Sequence, residues 1–517
     1  MLCENCGKHE ANVKYTQIIN GVKKEMLLCE ECAKEKGINN IDFNMPINFS
    51  SFLSDIFDEY NDTNFLPQFT NSNLKCKKCG LTYDEFINTG KFGCDNCYNT
   101  FADKIDYLVK NLHGSTRHIG RKSKYLKENE TKPVKEEVLP KEENEIDKKK
   151  KELKEAIKEE RYEDAAKLRD EIKKLEELMA NWYLQKGKES DVVISSRVRL
   201  ARNLKEFRFP NKYSKEESAE ILNKIKEITP SLGYGLKFIN LKDIDDITKI
   251  GLIEKHLISP DFAMSKKENT AILINEDENI CFMINEEDHI RMQVFSAGFD
   301  IQSLMDLAIE IDEKLGELVN YAFSQNYGYL TSCPTNLGTG ARVSVMVHLP
   351  ALTLTGNISK VLQVVNNFGM NIRGIYGEGT GSQGNIYQIF NNQSLGITEQ
   401  EIIKNVKAIT EKVIDQERLA RKYLTKNPIE LEDRVSRSFG IISNAKKISA
   451  EECRKLLSDV KLGTDLGIIK ELEDFKVNKL LLYTKPGNMQ KYFNKQLNTY
   501  ERDIKRAEVI KQIINEK

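Results

Sequence analysis

Apolar and polar positions alternate through Val343, Val345 and Val347 and again through Ile386 and Ile389, predicting two strands, each entered through a glycine-rich loop. Ala271 to Ile284 reads as a pair of strands around Glu276-Asp-Glu-Asn279. The period becomes helical over Ser214 to Ile228 and Gln302 to Phe323, an alternation that suits an antiparallel sheet flanked by helices. Beyond Thr398 the pattern is almost wholly helical, with cap signals such as Ser449-Ala-Glu-Glu452, so Ile402 to Lys517 is expected to form an all-helical domain. Toward the other end, Val13 to Leu28 is strand-like with a turn at Asn20-Gly21. Lys149 to Leu178 has Leu153, Ile157, Ala165, Leu168, Ile172 and Leu175 at helical spacing, with a break near Glu160-Arg161-Tyr162, which predicts a helical hairpin.

Composition adds boundaries to this pattern. Arg121 to Lys148 is rich in Lys and Glu with almost no aromatics, as in a solvated linker, and Asn39 to Asn73 is only weakly periodic. The 517 residues are 30% charged yet carry a net charge of only −1, so no global basic field points to nucleic acid. No apolar run is long enough to span a membrane and no leader pattern is seen, so a cytoplasmic protein without membrane contact is expected. Eight of eleven cysteines fall in four Cys-x-x-Cys pairs: Cys3 with Cys6, Cys29 with Cys32, Cys76 with Cys79 and Cys94 with Cys97. Two such turns complete a tetrahedral Cys₄ site, so two structural Zn²⁺ modules are expected. His9, His113 and His118 read as surface or turn residues beside them.

The two glycine-rich loops can bring backbone amides close to phosphate. Gly379-x-Gly381-x-x-Gly384 matches a dinucleotide fingerprint formally, but a strand follows it where the fingerprint needs a helix, and no P-loop occurs in the chain. Arginines are the available substitute: Ser195-Ser-Arg197-Val-Arg199, Asn285-Glu286-Glu287-Asp288-His289-Ile-Arg291, Arg342 and Arg373. Arginine suits the task because its planar fork binds phosphate oxygens in pairs and stays charged.

In this order, from about Asn181 to the C-terminus, these segments resemble the phosphagen (guanidino) kinases, most closely their bacterial protein-arginine kinase (McsB) branch. The resemblance implies that Arg197, Arg199, Arg291, Arg342 and Arg373 cage the phosphates of ATP with Mg²⁺. Ser195, Ser196, Val198, His256, Val343, Ser344, Val345, Met346, Gly374, Ile375, Tyr376 and Gly377 join them at the nucleotide. Glu287 and Glu378 are implied to clamp the acceptor guanidinium and take its proton, with Glu286 and Asp288 as further acidic candidates. Cys333, in Ser-Cys-Pro-Thr-Asn, matches the family's reactive cysteine, and Ser332 and Thr335 are placed to lower its pKa. Arg502-Asp503-x-x-Arg506-Ala507 matches the family's phosphoarginine pocket, the two arginines lying four apart on one helix face.

Leu153 to Asp170 resembles the UVR motif, and zinc pairs, linker and hairpin together resemble McsA, the activator of that kinase. The expected division is two zinc modules over 1–120, a linker over 121–148, a UVR-like hairpin over 149–178, an α+β catalytic domain over 179–401 and a helical domain over 402–517, activator and kinase being joined whether naturally or by engineering. The implied reaction converts ATP and a protein arginine to ADP and phosphoarginine. The implied setting is labelling of proteins for a Clp ATPase/protease and silencing of a heat-shock repressor, by a homodimer. A kinase of small guanidino compounds and an inactive phosphoarginine-binding adaptor are the alternatives.

Overall fold

A computed structural model describes residues 13–19, 22–28, 74–122, 182–375, 382 and 384–516. The expectations placed on Cys3, Cys6, Cys29, Cys32, His9, the charged linker, the UVR-like hairpin and Tyr376, Gly377 and Glu378 lie outside these residues. The chain divides into two units. In the first, β1 (Val13–Ile19) and β2 (Val22–Leu28) pair as the antiparallel hairpin that the Asn-Gly turn predicts, with Val13 opposite Leu28.

The second unit contains everything else described here. It opens with a Cys-x-x-Cys module of three helices, α1 (Tyr83–Thr89), α2 (Asn96–Thr100) and α3 (Ala102–His113), around buried Phe86, Phe92, Tyr98 and Phe101. The catalytic part follows as β3 (Val193–Arg202), α4 (Lys215–Leu232), β4 (Lys237–Asn240), α5 (Asp246–Glu254), α6 (Pro260–Ala263), β5 (Ala271–Ile274), β6 (Ile280–Ile284), β7 (Ile290–Ala297) and α7 (Ile301–Leu318). A two-stranded ribbon, β8 (Phe323–Ser324) with β9 (Gly328–Tyr329), leads to β10 (Ala341–His348), α8 (Pro350–Leu354), α9 (Ile358–Asn367), β11 (Met370–Gly374), β12 (Ile386–Asn391) and α10 (Glu399–Leu424). The main sheet is antiparallel throughout, in the order β11-β12-β10-β3-β7-β6-β5-β4.

Within the described residues, the strand and helix readings made from periodicity are realised, with one shortened element. The helix expected to reach Phe323 ends at Leu318, because the chain there turns extended and Tyr321 pairs with Leu204. Capping boxes start α4 at Ser214 and Glu217 and α10 at Thr398 and Glu401, and Ser449 caps Glu452 as its spacing predicts.

Val198 and Leu200 of β3 and Val343, Val345 and Val347 of β10 share one face of the sheet, and they form a single core with Met305 and Ala308 of α7 and Ile402, Val406 and Ile409 of α10. Burying the valine, leucine, isoleucine and methionine side chains among these contributes about 1.5–3 kcal/mol each. A separate core gathers Leu431, Val435, Leu457, Val460, Leu480 and Ile510 from α11 (Pro428–Asn444), α12 (Ala450–Asp465), α13 (Asp474–Tyr483) and α15 (Thr499–Asn515), with α14 (Pro486–Tyr492) between the last two. The buried stripe of α10 therefore belongs to the sheet, and the helices with a core of their own begin at Pro428 rather than at Ile402.

Candidate active site

Strand register puts the arginines on the sheet face opposite the valine core. In β3, Arg197 and Arg199 are two apart and so point the same way. Their neighbours across the ladders are Ser344 and Arg342 in β10 and Phe295 and Gln293 in β7, while Arg291 pairs with Ala201, the next residue on that face. Met346 pairs with Gln388 of β12, and Gln388 with Arg373 of β11. Five arginines from four strands thus share one surface. By the same parity Ser196, Val198, Val343 and Val345 face away from it: Ser196 Oγ donates to Gly298 O at 2.7 Å, and the valines are buried in the core. Those four of the expected nucleotide residues offer no side chain there, whereas Ser195, Ser344 and Met346 line a pocket with Arg197, His256 and Gln388.

Such a surface is built for anions. Burial, then Arg291, pulls the Arg197 guanidinium down to about 9, and the same two causes take Arg342 to about 10. Burial also lowers Arg373, and burial with Arg197 lowers Arg199, whose Nε is buried without a partner. A guanidinium does not give up its proton in practice, so these directions measure the need for an anionic neighbour. Partners within the protein are sparse: Arg197 Nε reaches Ser344 Oγ at 3.2 Å, Arg373 reaches Gln388 at 3.3 Å, and Arg342 and Arg373 lie over the Phe390 ring. Among the described residues only Arg291 of the five has a carboxylate, Glu286, at 2.7 Å.

The three consecutive acids go three ways. Burial disfavours the Glu286 charge but Arg291 outweighs it and holds the carboxyl at about 2; Ser259 Oγ donates to its other oxygen at 2.7 Å, so Glu286 fixes an arginine instead of meeting an acceptor. Glu287 remains at the site, with Asn336 Nδ2 at 3.3 Å and Lys91 Nζ at 3.6 Å. Asp288 turns into the protein and is fully buried; its Oδ1 accepts from Asn203 Nδ2 and from the Ser332 amide, both at 2.6 Å. This places Asp288 behind the Cys333 loop, in the protein interior. Cys333 Sγ lies 3.0 Å from Thr335 Oγ1, but burial, then Glu287, pushes the thiol up to about 11, and Ser332 Oγ makes no bond. The lowered pKa expected from its neighbours is therefore reversed.

Burial, then Glu287, raises Asp288 to about 7, and its Oδ2 is buried without a partner, as suits an oxygen that carries the proton. With a folded-state value above the ordinary carboxyl range of about 3.9, its stabilisation is complete below that range and is lost as pH rises through about 7. Asp288→Asn, which matches the protonated form in shape, is expected to flatten the decline in stability between about pH 4 and about pH 7. Urea unfolding across that range checks it, and an unchanged slope would assign the titration to another group.

The second Cys-x-x-Cys module is docked on this loop. Sγ atoms of Cys76, Cys79, Cys94 and Cys97 lie within 4.8 Å of one another, with close pairs at 3.3, 3.5 and 3.7 Å. Tetrahedral Zn–S bonds of about 2.3 Å fit that spacing. Hydrogen bonds from Cys94 and Cys97 lower Cys79, and bonding to Cys79 raises both of those partners, the mutual perturbation of thiols packed this closely. The four cysteines thus form a cluster that fits a structural Zn²⁺. From the module, the Phe92 amide donates to Ser332 O at 2.8 Å, Tyr98 OH to Thr331 O at 2.7 Å and His113 Nε2 to Pro334 O at 2.9 Å. The Ser394 amide donates to His113 Nδ1, which fixes the tautomer. Beyond α3, the His118 amide bonds Asn326 O, and Arg121 reaches Asp312 at 3.2 Å, beside buried Arg202. His113 and His118 are thus docking residues and not surface histidines.

On α15, Arg506 is fully buried and its guanidinium is committed to Thr484 O, Ile448 O and Asp503 at 2.7 to 2.9 Å. Ala507 is buried in the helical core, and Arg502 bonds Thr499 Oγ1 at 3.1 Å. Arg502 and Arg506 therefore do not share one open surface, since Arg506 serves as an internal strut. Motif reading also passed over Trp182, which stacks on Phe295 at 5.2 Å in the pocket, and Gln388, Asn336 and Lys91. As the sole tryptophan, Trp182 was the one of these with a visible signal.

Residues 220–420 match the ATP:guanido phosphotransferase C-terminal catalytic domain, and residues 428–517 the protein-arginine kinase McsB C-terminal domain. Residues 74–120 match the McsA central zinc-finger domain and 143–178 the UvrB/uvrC motif. The chain is 46% identical over 339 residues to a protein-arginine kinase of Halothermothrix orenii, covering 65% of this chain and 97% of that one. With the protein-arginine kinase of Bacillus subtilis it shares 44% over 352 residues, 65% of this chain and 94% of that one. A taurocyamine kinase structure from Schistosoma mansoni is similar with a TM-score of 0.49 at 22% identity, covering 77% of this chain and 50% of that one. The chain belongs to the protein-arginine kinase family, with a McsA-type zinc finger and a UVR motif joined ahead of the catalytic domain.

Proposed function

We propose that this chain transfers the γ-phosphoryl group of ATP to arginine side chains of proteins and carries its own activator. The observation that supports this best is the register that places Arg197, Arg199, Arg291, Arg342 and Arg373 on one face, next to a carboxylate that they do not consume, Glu287. In-line attack by a guanidino nitrogen forms the N–P bond as the bond from phosphorus to the ADP oxygen breaks, and Glu287 takes the departing proton. The arginines neutralise charge spreading over the phosphoryl oxygens, and Mg²⁺ bound with the nucleotide supplies further neutralisation. Glu378 is the proposed second clamp on the guanidinium, and Cys333, beside Glu287, borders the acceptor as a neutral thiol. His256, Ser195, Ser344 and Met346 form the proposed nucleotide side, joined through their backbone by Ser196, Val198, Val343, Val345, Gly374 and Ile375.

A protein acceptor fits a front end made of protein-binding modules. We further place Arg502 and Asp503 at a phosphoarginine site braced by Arg506, and the protein in a cytoplasmic homodimer that labels substrates for a Clp protease and silences a heat-shock repressor. Among the described residues no helix is long and apolar enough to cross a membrane. Incubation with ATP and either a model protein or free arginine, followed by mass spectrometry under non-acidic conditions, tests the function. Phosphoarginine is expected on the protein; product on free arginine alone would assign a small-molecule kinase.

A further inference from the structure

His256 borders the pocket next to Arg197, yet its backbone sits at φ 62°, a left-handed conformation that a residue with a β-carbon adopts at an energetic cost. Such a residue persists where its surroundings over-determine it. On the downstream side, Cys281 Sγ donates to Leu257 O at 3.3 Å and the Leu257 amide donates to Leu252 O at 2.9 Å. Upstream the anchor is Glu254, whose partners all belong to the C-terminal helices. The Gly487 amide donates to Oε1 at 2.7 Å, the Asn488 amide and Asn488 Nδ2 donate to Oε2, each at 2.8 Å, and Lys485 Nζ donates to the Glu254 carbonyl at 2.8 Å. Three donors on one carboxylate form a charge-assisted clasp, which is stronger than bonds between neutral groups.

The turn that carries these donors is itself held. Thr484, just before it, receives the Arg506 Nε–H at 2.9 Å. Gly487 lies so close to α5 that an added β-carbon would meet Ile250 Cγ2 at 2.6 Å and the Gly251 nitrogen at 2.7 Å. A continuous set of contacts therefore runs from Arg506 through the turn and Glu254 to the strained histidine.

We propose that Glu254 is a positioning residue for nucleotide binding: its clasp on the Lys485–Asn488 turn holds His256 in the pocket, so that the C-terminal helices are a working part of the ATP site. This rests on the reading of His256 as a nucleotide contact. Burial lowers the His256 pKa well below its ordinary value, so the ring is neutral and adds no repulsion to the nearby arginines.

The test measures ATP affinity of the zinc-loaded full chain by calorimetry, which requires no acceptor, together with kcat and the separate KM values for ATP and a protein substrate. Glu254→Gln sets an amide N–H₂ against the donors of the turn, and its ATP affinity is expected to fall about tenfold, with kcat at saturating ATP and KM for the protein held within about twofold. Asn488→Ala, which keeps the carboxylate and two of its donors, should weaken ATP binding in the same direction by a smaller factor and serves if the first variant folds poorly. His256→Ala should weaken ATP binding as well, and adding Glu254→Gln to it should cost little more. Unchanged ATP affinity in His256→Ala would overturn the reading of the histidine and the proposal with it. A response in His256→Ala with none in Glu254→Gln or Asn488→Ala would overturn the proposal alone, as would equal losses in kcat and both KM values, which mark general loosening.

Discussion

Replacing Glu287 by alanine is expected to slow phosphoryl transfer by about three orders of magnitude while ATP affinity changes by less than about twofold. The separation follows from the geometry, because among the described residues Glu287 bonds Asn336 and Lys91 and forms no ion pair with the five arginines proposed to hold phosphate, acting on Arg291 and Arg342 only through space. Glu286→Ala supplies the contrast. Removing that carboxylate frees Arg291 from its 2.7 Å partner and alters the phosphate side, so ATP affinity is expected to move in that variant. Single-turnover rates and calorimetric titration with ATP, run on both variants, check the pair. Parallel loss of rate and nucleotide affinity in Glu287→Ala would remove the acid from the acceptor side.

Stripping the zinc is expected to have the second largest effect, lowering the transfer rate about tenfold to a hundredfold without altering ATP binding. Cys94 is wholly buried among the other three thiols, and the aromatic cluster of the module is too small to keep its shape without the metal. Loss of shape withdraws the Phe92, Tyr98 and His113 donors from the Thr331–Pro334 loop, next to Cys333 and Glu287. Chelation and Cys94→Ser should give the same deficit, added Zn²⁺ should restore only the chelated protein, and residues 179–517 alone should match the stripped chain. Full activity in that shortened chain would mean that docking leaves the site as it was.

Much of the arginine surface was legible because strand parity is simple: residues two apart share a face, and five arginines in strand-like segments were bound to collect on few surfaces. The same parity within β10 separates Val343 and Val345, which face the core, from Ser344 and Met346, which share the face of Arg342, although the family resemblance implies all four at the nucleotide. The run Glu286-Glu287-Asp288 shows the limit more sharply. One acid pairs with an arginine five residues on, one meets Asn336 and Lys91 and one is buried behind a loop more than forty positions away in the chain. Nothing in the run itself separates them, since the difference lies in partners brought from elsewhere in the chain: Ser259 for Glu286, Asn336 and Lys91 for Glu287, and Asn203 with the Ser332 amide for Asp288. Helical periodicity likewise revealed the buried stripe of α10 but not its neighbour, which proved to be the sheet. Arg506 looked like a ligand for phosphate because its spacing from Arg502 was visible and its carbonyl partners were not.

The docking of the zinc module has a consequence for how this interface tolerates change. On the catalytic side, the atoms that receive Phe92, Tyr98 and His113 are the carbonyl oxygens of Ser332, Thr331 and Pro334, and a carbonyl is present whatever residue occupies the position. Alanine scanning of that loop would therefore pass over the contact almost silently, and what constrains the loop's side chains is their own packing and not the docking. The selective burden falls on the other partner: drift at Tyr98 or His113 removes a donor outright, so within one chain the activator's surface is the constrained half and the kinase's surface the permissive one.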